Sequence, residues 1–223
     1  MMARRGVLGL LTGGAAALLV GCSFQPSFRY KMTVEVETPD GLKSGHAVRE
    51  VSFSARANGG DYGHVRGEAV AVDLGGGEML FALLSGQDGY VDYAGQGIWT
   101  IFRVMDRDIG PSGGPHELWP NIPSIREPIT DPVPMLVTFA DLTDPKSVQR
   151  VDPANLAASF GADVKLKRIV IERTRQDVTM GIGKRLEWLG GYPEPSLNPS
   201  HGPKDFSLSA TTHHGAFRQG TEQ

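Results

Sequence analysis

Apolar and polar residues alternate strictly from 28 to 38. Phe28, Tyr30, Met32, Val34 and Val36 fall on one face, and Arg29, Lys31, Thr33, Glu35 and Glu37 on the other. A period of two is the pattern of a half-buried β-strand. The turn formers Pro39, Asp40 and Gly41 follow, and a second alternation then sets Ala47, Arg49, Val51, Phe53 and Ala55 against His46, Val48, Glu50, Ser52 and Ser54. The two segments predict an antiparallel hairpin. Residues 65–74 and 78–84 are nearly continuous in apolar character and are separated by Gly75, Gly76 and Gly77. They predict two further strands buried on both faces.

From 85 to 134 the pattern gives way to glycine, proline and aromatic residues. Only 97–105, with Ile98, Trp99, Ile101, Phe102 and Val104, retains an apolar rhythm, and it fits a strand or a short helix equally well. Residues 108–134 hold seven prolines, too long a stretch for an ordinary connection, and read as a long loop. Order resumes at 135–139 as a short buried strand. Asp144-Pro145 starts a single helical turn. Asp152-Pro153 starts a short helix in which Leu156 and Phe160 face inward, and Gly161 ends it. The apolar positions of 164–174 change parity between Leu166 and Ile169, as a bulge requires. A second helix is expected over 179–189, with Ile182, Leu186 and Leu189 on one side and Gly190-Gly191 after it. Beyond Tyr192 the composition suggests a linker, with a possible edge strand within 206–217. The fold class predicted is α+β: mainly antiparallel sheet with two short helices and long Gly/Pro-rich loops.

The start of the chain adds a different kind of signal. Arg4 and Arg5 precede an apolar run over 6–20, and Leu19-Val20-Gly21-Cys22 closes it. This tripartite segment resembles the signal peptide and lipobox of bacterial lipoproteins. A helix of 15 residues reaches only about 22 Å, short of a hydrocarbon core of roughly 30 Å. The resemblance implies cleavage before Cys22, the lipid attachment residue. It also implies diacylation of the cysteine thiol, and two acyl chains hold a protein firmly where one does not. Ser23 after the cysteine implies, by similarity to Gram-negative lipoproteins, transfer to the periplasmic face of the outer membrane. The arginine pair leaves general and twin-arginine export both open.

On this basis the chain divides into a signal peptide (1–21), a lipidated tether (22–27), one α+β domain (28–192) and a linker with a possible edge strand (193–223). Without Arg4 and Arg5 the basic residues fall from 22 to 20, against 25 acidic ones, which leaves a mildly acidic domain. That balance gives no footprint for nucleic acid. Cys22 is the only cysteine, so the domain holds together without a disulfide. Within it, 33–45 and the segments Val-Thr-Phe-Ala-Asp (137–141), Val-Asp-Pro-Ala-Asn-Leu-Ala-Ala-Ser-Phe-Gly (151–161) and Gly-Ile-Gly-Lys-Arg-Leu-Glu-Trp-Leu (181–189) resemble Gram-negative bacterial proteins with no known activity. That resemblance carries no catalytic residue.

Several strings invite a chemical interpretation, and each has a plainer one. Gly110-Pro111-Ser112-Gly113-Gly114 matches a hydrolase nucleophile elbow, with Asp108 and His116 nearby. An elbow needs a strand before the serine and a helix after it, and the prolines that follow forbid that helix. Asp73 to Glu78 resembles a phosphate-contacting turn of the sugar-kinase and actin group, but a glycine turn between strands accounts for every residue. Ser85 to Gly89 lacks the carboxylate spacing of a calcium loop. His213 and His214 are neighbours that point apart on a strand, and His46, His64, His116 and His201 are scattered, so no metal centre is expected. Trp99, Trp119, Tyr90 and Tyr93 suit loop anchors better than a ligand platform. The function that follows is a non-enzymatic envelope lipoprotein without cofactor, attached to the membrane through Cys22, which binds a partner protein or ligand or stabilises an assembly. The alternatives are an envelope hydrolase built on 108–134 and a small-ligand carrier.

Overall fold

The computed structural model describes residues 27–55, 61–87, 126–129, 133–190 and 195–220. Among them, two antiparallel sheets stack face to face. Strands β1 (Ser27–Thr38) and β2 (Gly41–Ala55) form the expected hairpin, with Phe28 opposite Val51 and Thr38 opposite Gly41. They belong to a six-stranded sheet of order β10-β3-β2-β1-β9-β6. The other members are β3 (Asp61–Glu68), β6 (Arg126–Ile129), β9 (Lys165–Thr174) and β10 (Arg218–Gln219). The second sheet has four strands in the order β4-β5-β7-β8: β4 (Val70–Gly75), β5 (Glu78–Gly86), β7 (Pro134–Phe139) and β8 (Val148–Val151).

The core between the sheets is the apolar face predicted for β1. Phe28, Tyr30, Met32, Val34 and Val36 are buried against Val70, Val72 and Leu74 of β4, Leu80 and Ala82 of β5, and Ile169 and Ile171 of β9. The four-stranded sheet is also covered on its other side. There Met79, Phe81 and Leu83 of β5 and Met135, Val137 and Phe139 of β7 meet Ile182, Leu186, Leu189, Leu197, Ala216 and Phe217. β5 therefore alternates between two cores, which explains its unbroken apolar run. Gly75, Gly76 and Gly77, all at positive φ, turn β4 into β5 as the sequence predicts. The β9 bulge is present as well: its pairing with β1 skips a residue between Arg168 and Leu166.

Four expectations change. The apolar stretch 65–74 is two strands in different sheets, β3 and β4, hinged at Ala69. The Ala69 N–H is taken by the Phe217 carbonyl at 2.8 Å, so the chain leaves one ladder and enters the other at that point. The long loop 108–134 includes β6, which pairs with β9 from Arg126 to Ile129, and ends in Pro134 of β7. The helix expected over 179–189 is a single 3-10 turn, Ile182–Lys184, followed by further turns; Ile182, Leu186 and Leu189 still face the sheet. Residues 195–220 are not a linker. They pack on the four-stranded sheet, with Leu197 and Phe217 fully buried, because the apolar outer face of β5 and β7 needs a cover.

Helix is scarce among the described residues. The two short helices are α1 (Ala157–Phe160), ended by Gly161 as expected, and α2 (Leu208–Thr211). Asp144 caps a 3-10 turn at Pro145–Ser147, where its carboxylate accepts from the Lys146 N–H at 2.9 Å.

Candidate binding site

The site forms where β1 starts and β9 stops. Antiparallel pairing aligns three residues in each row across the sheet. Arg29 lies opposite Glu50 on one side and Thr174 on the other, and these side chains share the outer face. Tyr30 lies between Arg49 and Arg173, on the face that turns toward the second sheet. Arg49 is fully buried there, and its guanidinium donates to the carbonyls of Glu68 (2.9 Å) and Ala82 (3.2 Å).

Beyond Thr174 the chain crosses β1 and β2. The Gln176 N–H donates to Thr174 Oγ1 at 3.1 Å, and Arg29 Nη1 donates to the Gln176 carbonyl (3.1 Å) and to Asp177 Oδ1 (3.0 Å). Thr179 then takes the ladder position that β3 leaves free beside β2. Its N–H donates to the Val48 carbonyl at 3.0 Å, and its hydroxyl accepts from the Val48 N–H at 2.9 Å. The crossing ends where the Ile182 N–H donates to the buried Glu68 carboxylate at 2.7 Å.

This path leaves an open cavity of about 730 Å³ at the sheet end, lined by Ser27, Phe28, Arg29, Glu50, Arg173, Thr174 and Arg175. The lining holds three arginines and one carboxylate, drawn from both faces of the sheet end: Arg29 and Glu50 from the outer face, Arg173 from the face of Tyr30. Arg29 Nε donates to Glu50 at 2.9 Å, and hydrogen bonding to Glu50 and Asp177 raises the Arg29 pKa above the ordinary value against a smaller opposing effect of burial. Arg175 is exposed, and Phe28 forms a buried apolar floor. Sequence patterning placed Arg29 and Glu50 on polar faces but did not bring them to a site. The readable signal was Arg-Thr-Arg at 173–175, two cations on one side of a strand end.

The other candidates separate. Cys22, the Asp108, Ser112 and His116 group, and Tyr90, Tyr93, Trp99 and Trp119 lie outside the described residues. His46 and His64 are exposed on β2 and β3, His201 is exposed in a turn, and His213 and His214 are half-buried. Among the described residues no three His, Cys, Asp or Glu side chains gather as metal ligands, and no helix is long and apolar enough to cross a membrane. Asp73 accepts the Gly75 N–H at 3.0 Å inside its turn, a local contact that accounts for its position.

Ser196 Oγ lies 3.3 Å from His201 Nδ1, but the same nitrogen sits 2.8 Å from the Asn198 carbonyl. A carbonyl only accepts, so Nδ1 carries a proton and offers the serine no base. No protein family, curated protein or solved structure matches this chain.

Proposed function

We propose that the chain is a lipid-anchored envelope protein whose domain binds a ligand or partner at the membrane surface without catalysing a reaction. In this reading Cys22 carries the acyl chains, and the protein faces the periplasm from the outer membrane. The domain is the α+β unit, with the Gly/Pro-rich residues before β6 as its long loop.

One observation carries the reading. The first strand begins at Ser27, five positions after Cys22, and Ser27 itself lines the open cavity. Five extended residues span at most about 17 Å, so an acylated Cys22 keeps that end of the sheet close to the bilayer. The contacts of the lining support binding over catalysis: Arg29 is tied to Glu50 and Asp177, and among the described residues of the lining no nucleophile is paired with a base.

Labelled palmitate tests the anchor. It is expected in the native protein and not in Cys22→Ser, and equal labelling of both refutes the reading. Density fractionation tests the compartment, with native protein in the outer membrane and Ser23→Asp retained in the inner one. Native protein in the inner fraction removes the outer-membrane assignment.

A further inference from the structure

We propose that the arginine-lined cavity at the start of β1 takes the phosphodiester headgroup of an anionic phospholipid, a proposal that rests on the lipid-anchor reading for its source of ligand. The chemistry comes from the lining. A guanidinium presents paired N–H donors that match phosphate oxygens, and Arg173 and Arg175 bring two such groups to the cavity. Arg29, on the outer face, is held by Glu50 and Asp177 and lines the same cavity. The hydroxyls of Ser27 and Thr174 suit the polar glycerol of a headgroup, and Phe28, 4 % exposed, supplies an apolar floor at which the glycerol backbone can lie.

Size and position narrow the choice. A cavity of about 730 Å³ is larger than an inorganic phosphate needs and falls within the range of small-molecule sites. It opens at the end of the domain from which the tether leaves, at most about 17 Å from Cys22. A cation near an anionic membrane surface strengthens attachment about fivefold. The site would therefore orient the domain with the β1 end against the bilayer, a constraint that two acyl chains at Cys22 do not by themselves impose.

The test uses the full-length protein in a neutral detergent, titrated with glycerophosphoglycerol, the chain-free headgroup of phosphatidylglycerol. Saturable binding is expected, at least tenfold tighter than that of zwitterionic glycerophosphocholine. Arg175→Gln and Arg173→Gln are each expected to weaken it about fivefold or more. Arg175 is exposed, so its variant keeps the fold, and an unchanged thermal unfolding midpoint confirms that. Equal affinity in the native protein and both variants overturns the proposal. So does displacement of the probe by inorganic phosphate of equal affinity, which would make free phosphate the ligand. The mass of the processed amino terminus separates the two layers of argument. Acylated protein that does not bind the probe refutes the headgroup site alone, whereas protein that binds it but carries no acyl chain refutes the anchor and the bilayer as source.

Discussion

Gly45 of β2 lies against the backbone of Ala71 of β4, so that a Cβ at position 45 would stand 2.0 Å from the Ala71 carbonyl oxygen. The obstacle is backbone, which no side-chain rotamer can relieve. This is where the hairpin of one sheet touches the edge strand of the other, and the absence of a side chain at 45 sets their separation.

Gly45→Ala is accordingly expected to destabilise the domain by ~3 kcal/mol, at the upper end of the cost of overpacking a core. Urea denaturation of Gly45→Ala and of Gly181→Ala gives the comparison. Gly181 has open space around its missing Cβ and a negative φ, so its substitution is expected within ~0.5 kcal/mol of native. Similar midpoints for the two variants would show that the sheets meet elsewhere.

The strands were legible because their faces differ. The alternation of β1 named five core residues correctly, and the change of parity in 164–174 located the bulge opposite Glu35 and Val36. Residues 65–74 misled because apolar character continues through Ala69 while the chain changes sheets. Periodicity reports burial and not which ladder supplies it. Arg49 shows the same limit from the other side, since its place in the apolar alternation was visible but the carbonyls of Glu68 and Ala82 that satisfy it were not. The helix expected over 179–189 failed for a related reason. Ile182, Leu186 and Leu189 do face one way, but a chain that leaves the Glu68 carboxylate to lie flat on a sheet meets that requirement with successive turns. The cavity was legible only as the Arg-Thr-Arg string at 173–175, because Arg29, Glu50 and Arg173 come together through strand pairing between distant segments.

The carboxy-terminal cover makes its own prediction. Phe217 is fully buried, with ring centroids 5.5 Å from Trp188, 5.8 Å from Phe139 and 6.2 Å from Phe81. Phe217→Ala is expected to cost ~4 kcal/mol, through lost burial and the cavity left among these rings. The full chain should still unfold in one transition, at lower denaturant and with altered tryptophan emission. A loss under ~1 kcal/mol would mean that residues 195–220 contribute little to the fold.

His214 sits at the rim of the same cluster, its ring 5.3 Å from Trp188 and its buried Nδ1 without a hydrogen-bond partner among the described residues. Burial lowers its pKa below the ordinary histidine value, and the charges of Arg218 and His213 lower it further. The native state thus binds fewer protons at this position than the unfolded chain. Its contribution is fully present above the unfolded pKa of about 6.5 and is lost as pH falls through the lower folded value. Thermal unfolding midpoints measured from about pH 8 to pH 5 should fall on acidification in the native protein. His214→Phe keeps an aromatic ring beside Trp188 and removes the titration, so its midpoint should fall less over the same interval. Parallel profiles for the two proteins would assign the acid sensitivity to other groups and leave His214 without a part in it.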